Sequence, residues 1–138
     1  MSAPIDLLRK IDLFEELSDR DLERIASTFK ERDFSAGDTI AAEGQRGVGF
    51  FVIAEGTVTY SIKGADKGTG GAGDYFGEVA LVDDGPRTAT VTATSDVKAY
   101  GLTSWEFRPL VEENASIAWE LLQGMAKRLR AASPEAQA

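Results

Sequence analysis

Two residues in this chain have the types and spacing to hold a small anion. Glu78 follows Gly77 and precedes the short apolar run Val79, Ala80 and Leu81; Arg87 stands between Pro86 and Thr88, with eight residues separating it from Glu78. A carboxylate accepts a hydrogen bond from a hydroxyl, and a guanidinium clamps a phosphate through a fork of N–H donors. Backbone N–H groups at the start of a turn, here around 77–80, add donors of their own. Together they suit a ligand that carries both a hydroxyl and a phosphate. The alternative is a solvent-exposed Glu and Arg in one loop, which contributes little energy. Against it, Phe76, Val79, Ala80 and Leu81 tether the segment to a core, and Pro86 fixes the backbone just before Arg87.

Composition narrows what such a site can be. The chain has 138 residues, 43% hydrophobic and 28% charged, enough for one domain with its own core. It contains neither histidine nor cysteine, which excludes Ser–His–Asp and Cys–His catalysis, disulfides and His-rich metal sites. Carboxylate-only acid–base chemistry survives with 23 Asp and Glu, but no acid pair stands in an apolar setting, so no enzyme activity is expected. A net charge of −8 disfavours nucleic acid as a partner and means that an anionic ligand must be held by short-range donors. No apolar run is long enough to span a bilayer, and charges interrupt the N-terminal apolar patch, as expected of a cytoplasmic protein.

The elements that must position these residues are legible from periodicity. Helix is expected over the first thirty residues: Ile5, Leu8 and Ile11 follow Pro4, and Ser18 can cap a second helix whose apolar stripe is Leu22, Ile25, Ala26 and Phe29. From 32 to 103 the pattern is of short strands cut by glycine turns: 39–41, 50–53, 58–62, 88–94 and 97–102. That density of strands favours a closed or two-sheet β structure. Helix returns after a Thr103–Glu106 capping box, with Pro109 expected to limit or kink it, and then in a stripe of Ile117, Leu121, Met125 and Leu129 expected to pack on the barrel. Residues 131–138 lose periodicity and are expected to fray. The run 68–73, GTGGAG, spells a dinucleotide-binding fingerprint but lacks the strand and full helix that make one work; it reads as a loose loop or a close backbone approach.

The run 73–81, GDYFGEVAL, followed by Pro86-Arg87-Thr88-Ala89, resembles the phosphate-binding cassette of the cyclic nucleotide-binding domain family. Gly37, Glu43–Gly44 and the run 51–56 fit the same resemblance, which extends from about residue 7 to 130. It implies an eight-stranded jelly-roll β-barrel, mainly β with flanking α: a helical N-terminus at about 4–29, the barrel at about 30–103 and C-terminal B and C helices at about 104–131, all in one domain spanning 1–138. It implies that Glu78 accepts the ribose 2′-hydroxyl and Arg87 pairs with the cyclic phosphate. Gly77, Val79 and Ala80 would offer backbone N–H groups, with Thr88 and Ala89 completing the cradle. The expected ligand is cAMP, with cGMP the alternative, and no cofactor. A last helix that swings over the base would bring Arg128, Met125 or Leu129 to it. No helix-turn-helix follows Arg130, so direct nucleic-acid binding is not expected. The partner would be a separate effector protein, with a homodimer through the C-terminal helix also open. The competing reading is a nucleotide-free interaction module on the same fold.

Overall fold

The computed structural model describes residues 3–45, 49–83 and 86–132, with backbone alone at 79 and 80. Two four-stranded antiparallel sheets face each other. One runs β1–β8–β3–β6 and the other β2–β7–β4–β5. The strands are β1 (Lys30–Phe34), β2 (Thr39–Ala41), β3 (Gly49–Glu55), β4 (Val58–Ile62), β5 (Ala65–Gly70), β6 (Tyr75–Phe76), β7 (Thr90–Ala93) and β8 (Val97–Thr103). This is the expected eight-stranded jelly roll with helices at both ends.

Strand β3 shows how one short segment builds two cores. Side chains alternate across a strand, so Phe50 and Val52 face the helices while Ile53 faces the barrel interior. On the helix side they meet α1 (Ile5–Arg9), the 3-10 turn Asp12–Phe14, α2 (Asp19–Thr28), α3 (Ser104–Glu113) and α4 (Ala115–Ala132). Leu8, Phe14, Leu22, Ile25, Phe29, Phe107 and Ile117 are all buried there. Inside the barrel, Val58, Val91, Ala93, Val97 and Ala99 form a second cluster. Phe50 joins the helical core to the site, edge-on to Phe14, Phe29 and Tyr75 with ring centroids 5.8, 5.7 and 5.6 Å away.

Both expected N-terminal caps form. Ser18 Oγ accepts from the Asp21 amide, and the Thr103–Glu106 capping box is complete in both directions. Elsewhere the structure corrects the sequence reading. Part of the glycine-rich run is strand: β5 extends through Gly68–Gly70 and pairs with β4. Strand β7 begins only at Thr90, leaving Thr88 and Ala89 in the preceding bend. Helix α3 continues past Pro109 to Glu113. The stripe on α4 divides: Ile117 and Leu121 are buried, whereas Met125 and Leu129 are 42% and 58% exposed. A four-residue step overshoots the 3.6-residue turn by about 40°, so the stripe rotates off the contact face. Gly124 lies at that contact instead. The fraying expected beyond 132 lies outside the described residues. Among them, no helix is long and apolar enough to cross a membrane.

Candidate functional site

The site begins where β6 ends. Gly77 has φ +85°, a left-handed backbone that glycine adopts without steric cost. It turns the chain from β6 into a single 3-10 winding, Glu78–Leu81. A Cβ on Gly77 would run into both the Arg87 guanidinium and the Gly49 carbonyl oxygen. Glycine is therefore required twice over, by conformation and by the arginine laid against it.

Arg87 is held at both ends. Its amide donates to the Gln45 carbonyl at 2.8 Å and its carbonyl accepts from the Gly44 amide at 2.9 Å. Its guanidinium donates to the Gly49 carbonyl oxygen. Burial lowers its pKa, while the attraction of Glu78 opposes that shift. The result is a half-buried cation whose head is aimed rather than free to rotate.

Glu78 faces the same region and meets the C-terminal helix. Arg128 Nη2 donates to Glu78 Oε1 at 3.2 Å, and its guanidinium lies 5.3 Å from the centre of the Tyr75 ring. Burial works against the Arg128 charge, but the bond to Glu78 and the attraction of Tyr75, Glu78 and Asp12 outweigh it, so its pKa is raised. Tyr75 in turn donates its hydroxyl to Asp12 Oδ1 at 2.6 Å; burial, followed by that bond, raises its pKa. A path of contacts thus runs from the N-terminal turn through Tyr75 and Arg128 to Glu78.

Between these groups lies a cavity of about 580 Å³. Gly77, Glu78, Arg87 and Thr88 line its polar part; Ala41, Tyr60, Ala89 and Val91 line an apolar part. Five of the residues expected at a ligand site, Gly77, Glu78, Arg87, Thr88 and Ala89, thus border one hollow. Val79 and Ala80 contribute backbone to the adjoining 3-10 winding. Of the three C-terminal residues, Arg128 reaches Glu78. Met125 borders a separate apolar recess of about 210 Å³ beside Leu13, Phe14 and Leu121, and Leu129 lines neither space.

Several contributors were not read from the sequence. The Gly44–Gln45 turn anchors Arg87 from more than forty residues away, and Tyr60 and Tyr75 border the cavity. Tyr60 had a usable signal, since Val58, Tyr60 and Ile62 alternate with polar residues. The Gly44–Gln45 contact had none, because it depends on how β2 and β7 pair.

An aimed cation, a carboxylate and a left-handed glycine thus surround one hollow on a jelly roll flanked by helices. The chain belongs to the cyclic nucleotide-binding domain family, whose model matches residues 31–114. It is 39% identical over 90 residues to a cAMP-dependent protein kinase regulatory subunit of Mycosarcoma maydis, a match covering 62% of this chain and 17% of that protein. It is 27% identical over 130 residues to a CRP-like cAMP-activated global transcriptional regulator of Mycobacterium tuberculosis, covering 91% of this chain and 58% of the regulator. Among solved structures, the N-terminal domain of a transcriptional regulator from Streptomyces coelicolor A3(2) superposes with a TM-score of 0.84 at 33% identity, covering 94% of this chain and 96% of that one. The chain therefore spans only part of the length of these curated relatives.

Proposed function

We propose that this protein is a non-enzymatic receptor for a cyclic nucleotide, cAMP or alternatively cGMP, that signals to a separate effector through its C-terminal helix. The observation that carries this reading is the convergence of Glu78, Arg87 and Gly77 on one cavity. Arg87 would take the cyclic phosphate, with backbone N–H groups at 77–80 beside it. Glu78 would accept the ribose 2′-hydroxyl, and Thr88 and Ala89 would close the cradle. The name of the Mycosarcoma relative supports cAMP, and another relative, a kinase of Toxoplasma gondii, is named as cGMP-dependent.

The route to the effector is the Glu78–Arg128 contact. The carboxylate that would receive the ribose also holds α4, so a ligand at Glu78 and the position of α4 are linked. Switching requires that ligand bind one position of α4 better than another. Trp119, Leu122, Met125 and Leu129 are large apolar side chains that α4 presents to solvent. They supply a face for an effector protein or for a second copy of this chain.

The test is titration calorimetry of the wild type and Arg87→Ala with cAMP and cGMP. A charge-assisted hydrogen bond contributes roughly 1.5–3 kcal/mol, so the variant should keep its fold and lose about 10- to 100-fold in affinity. Identical heats for both proteins would defeat the reading.

A further inference from the structure

Two tyrosines border the cavity, and they differ in what they already hold. Tyr75 has its hydroxyl bonded to Asp12 and its ring beneath Arg128. The Tyr60 hydroxyl has no hydrogen-bond partner among the described residues, and the ring's one aromatic neighbour there is Phe76, edge-on at 6.2 Å. A half-buried phenol usually finds a partner for its O–H.

The position of Tyr60 is built by the sheet. Val91 of β7 pairs with Tyr60 on one side and with Ala41 on the other. Cross-strand partners share a face, so Ala41, Val91 and Tyr60 form one row, and all three line the cavity. Tyr60 is the only large member of that row. Beyond it, β5 carries glycine where the ring needs space: a Cβ on buried Gly70 would come within 2.6 Å of the Tyr60 hydroxyl oxygen. The ring is thus seated beside Gly70 and Phe76, where it borders the cavity and also a second recess lined by Asp12, Thr69 and Asp74.

The proposed ligand has three parts, and two of them have residues assigned above. With phosphate at Arg87 and sugar at Glu78, the row of Ala41, Val91 and Tyr60, together with Phe76, offers the base an apolar stretch of the cavity wall. We infer that Tyr60 selects the base: its ring packs against the purine, and its hydroxyl donates a hydrogen bond to an acceptor on the purine edge. This rests on the cyclic nucleotide reading. Burial first, and then the negative charges of Asp74 and Glu78, raise the pKa of this phenol, so it remains a donor across neutral pH.

The experiment is titration of wild type, Tyr60→Phe and Tyr60→Leu with cAMP, cGMP and the pyrimidine analogue cCMP, with thermal unfolding run alongside. Wild type should prefer the purines. Removing the hydroxyl alone should weaken the preferred purine by about 2- to 10-fold. Removing the ring should weaken both purines by roughly 10-fold or more and narrow their advantage over cCMP, since base–aromatic stacking is strong and scales with the base. Should Tyr60→Leu fail to fold, Tyr60→Phe carries the test, since it removes one atom. Wild type binding purine cyclic nucleotides while both folded variants keep its affinities and ratios would overturn the Tyr60 assignment alone. Wild type binding none of the three would overturn the receptor reading and this one with it.

Discussion

Arg128 of the last helix and Glu78 of the cassette turn meet at 3.2 Å, fifty residues apart in sequence, with their side chains 34% and 21% exposed. The contact engages one carboxylate oxygen of Glu78. It also partly neutralises an acid that borders a cavity where, on our reading, an anion binds.

Replacing Arg128 therefore has two expected effects. Glu78 loses its orientation, and its charge then opposes the incoming phosphate without compensation. Because the pair is partly solvated, a modest effect is expected, about 0.7–1.4 kcal/mol, or roughly 3- to 10-fold weaker nucleotide binding for Arg128→Ala. Amide exchange in α4 should quicken at the same time, since α4 loses a tether to the cassette. Calorimetry and hydrogen exchange together check this; unchanged affinity with unchanged exchange would separate α4 from the site.

A second prediction concerns Gly124. By helix propensity alone, alanine inside α4 should stabilise by about 0.8–1 kcal/mol. Packing says the reverse, because a Cβ there would approach the Leu13 carbonyl oxygen to 2.5 Å and its carbon to 3.3 Å. Backbone atoms cannot swing aside like a side-chain tip, so α4 must lift from the turn Asp12–Phe14. Gly124→Ala should lower the melting temperature and expose α4 to exchange, with an expected loss of about 1–3 kcal/mol, the usual cost of overpacking. A higher melting temperature would show that propensity wins.

The Gly124 contact also illustrates what the sequence could and could not disclose. Features governed by neighbours within a few residues were legible: the caps at Ser18 and Thr103, the alternation in β7 and the spacing of Glu78 and Arg87. The row Ile117, Leu121, Met125, Leu129 misled because its period of four is not that of a helix. Strand β5 was hidden because its glycines look like loop, whereas Gly70 makes room for Tyr60 and Gly68 takes a positive φ at the register shift against β4. What joins distant segments, Arg128 to Glu78 or Gln45 to Arg87, leaves no local pattern, since it arises only once the sheets and α4 are assembled.

The remaining prediction lies at the base of α4, where two acids meet. Asp21 is buried; it accepts from Ser116 Oγ at 2.7 Å and Arg24 Nη1 at 3.4 Å, and Arg24 also donates to Asn114 Oδ1 at 2.6 Å. Glu120 Oε1 accepts from the Ser18 amide at 3.1 Å, while Oε2 is buried and, as an ionised oxygen, finds no donor among the described residues. The bond from Ser116, with those from Glu120 and Ser18 and the charge of Arg24, lowers the Asp21 pKa against the effect of burial. Burial and the adjacent Asp21 raise that of Glu120, against the bonds from Ser18. A proton held on Glu120 and donated to Asp21 would satisfy both residues. The signs follow from the two directions. The Glu120 contribution to stability is fully present below its ordinary 4.5 and is lost as pH rises through its raised folded value. The Asp21 contribution is present above its ordinary 3.8 and is lost as pH falls through its lowered folded value. The α2–α4 junction should hold best in mildly acidic solution and weaken as rising pH ionises Glu120 beside Asp21. In Glu120→Gln an amide N–H can donate at every pH, so the weakening arm should vanish from its stability profile. An unmet buried polar group costs about 1–3 kcal/mol, which sets the size of the difference expected between the two curves. Denaturant midpoints measured from pH 3 to 8 for both proteins decide it, and parallel curves would rule out the shared proton.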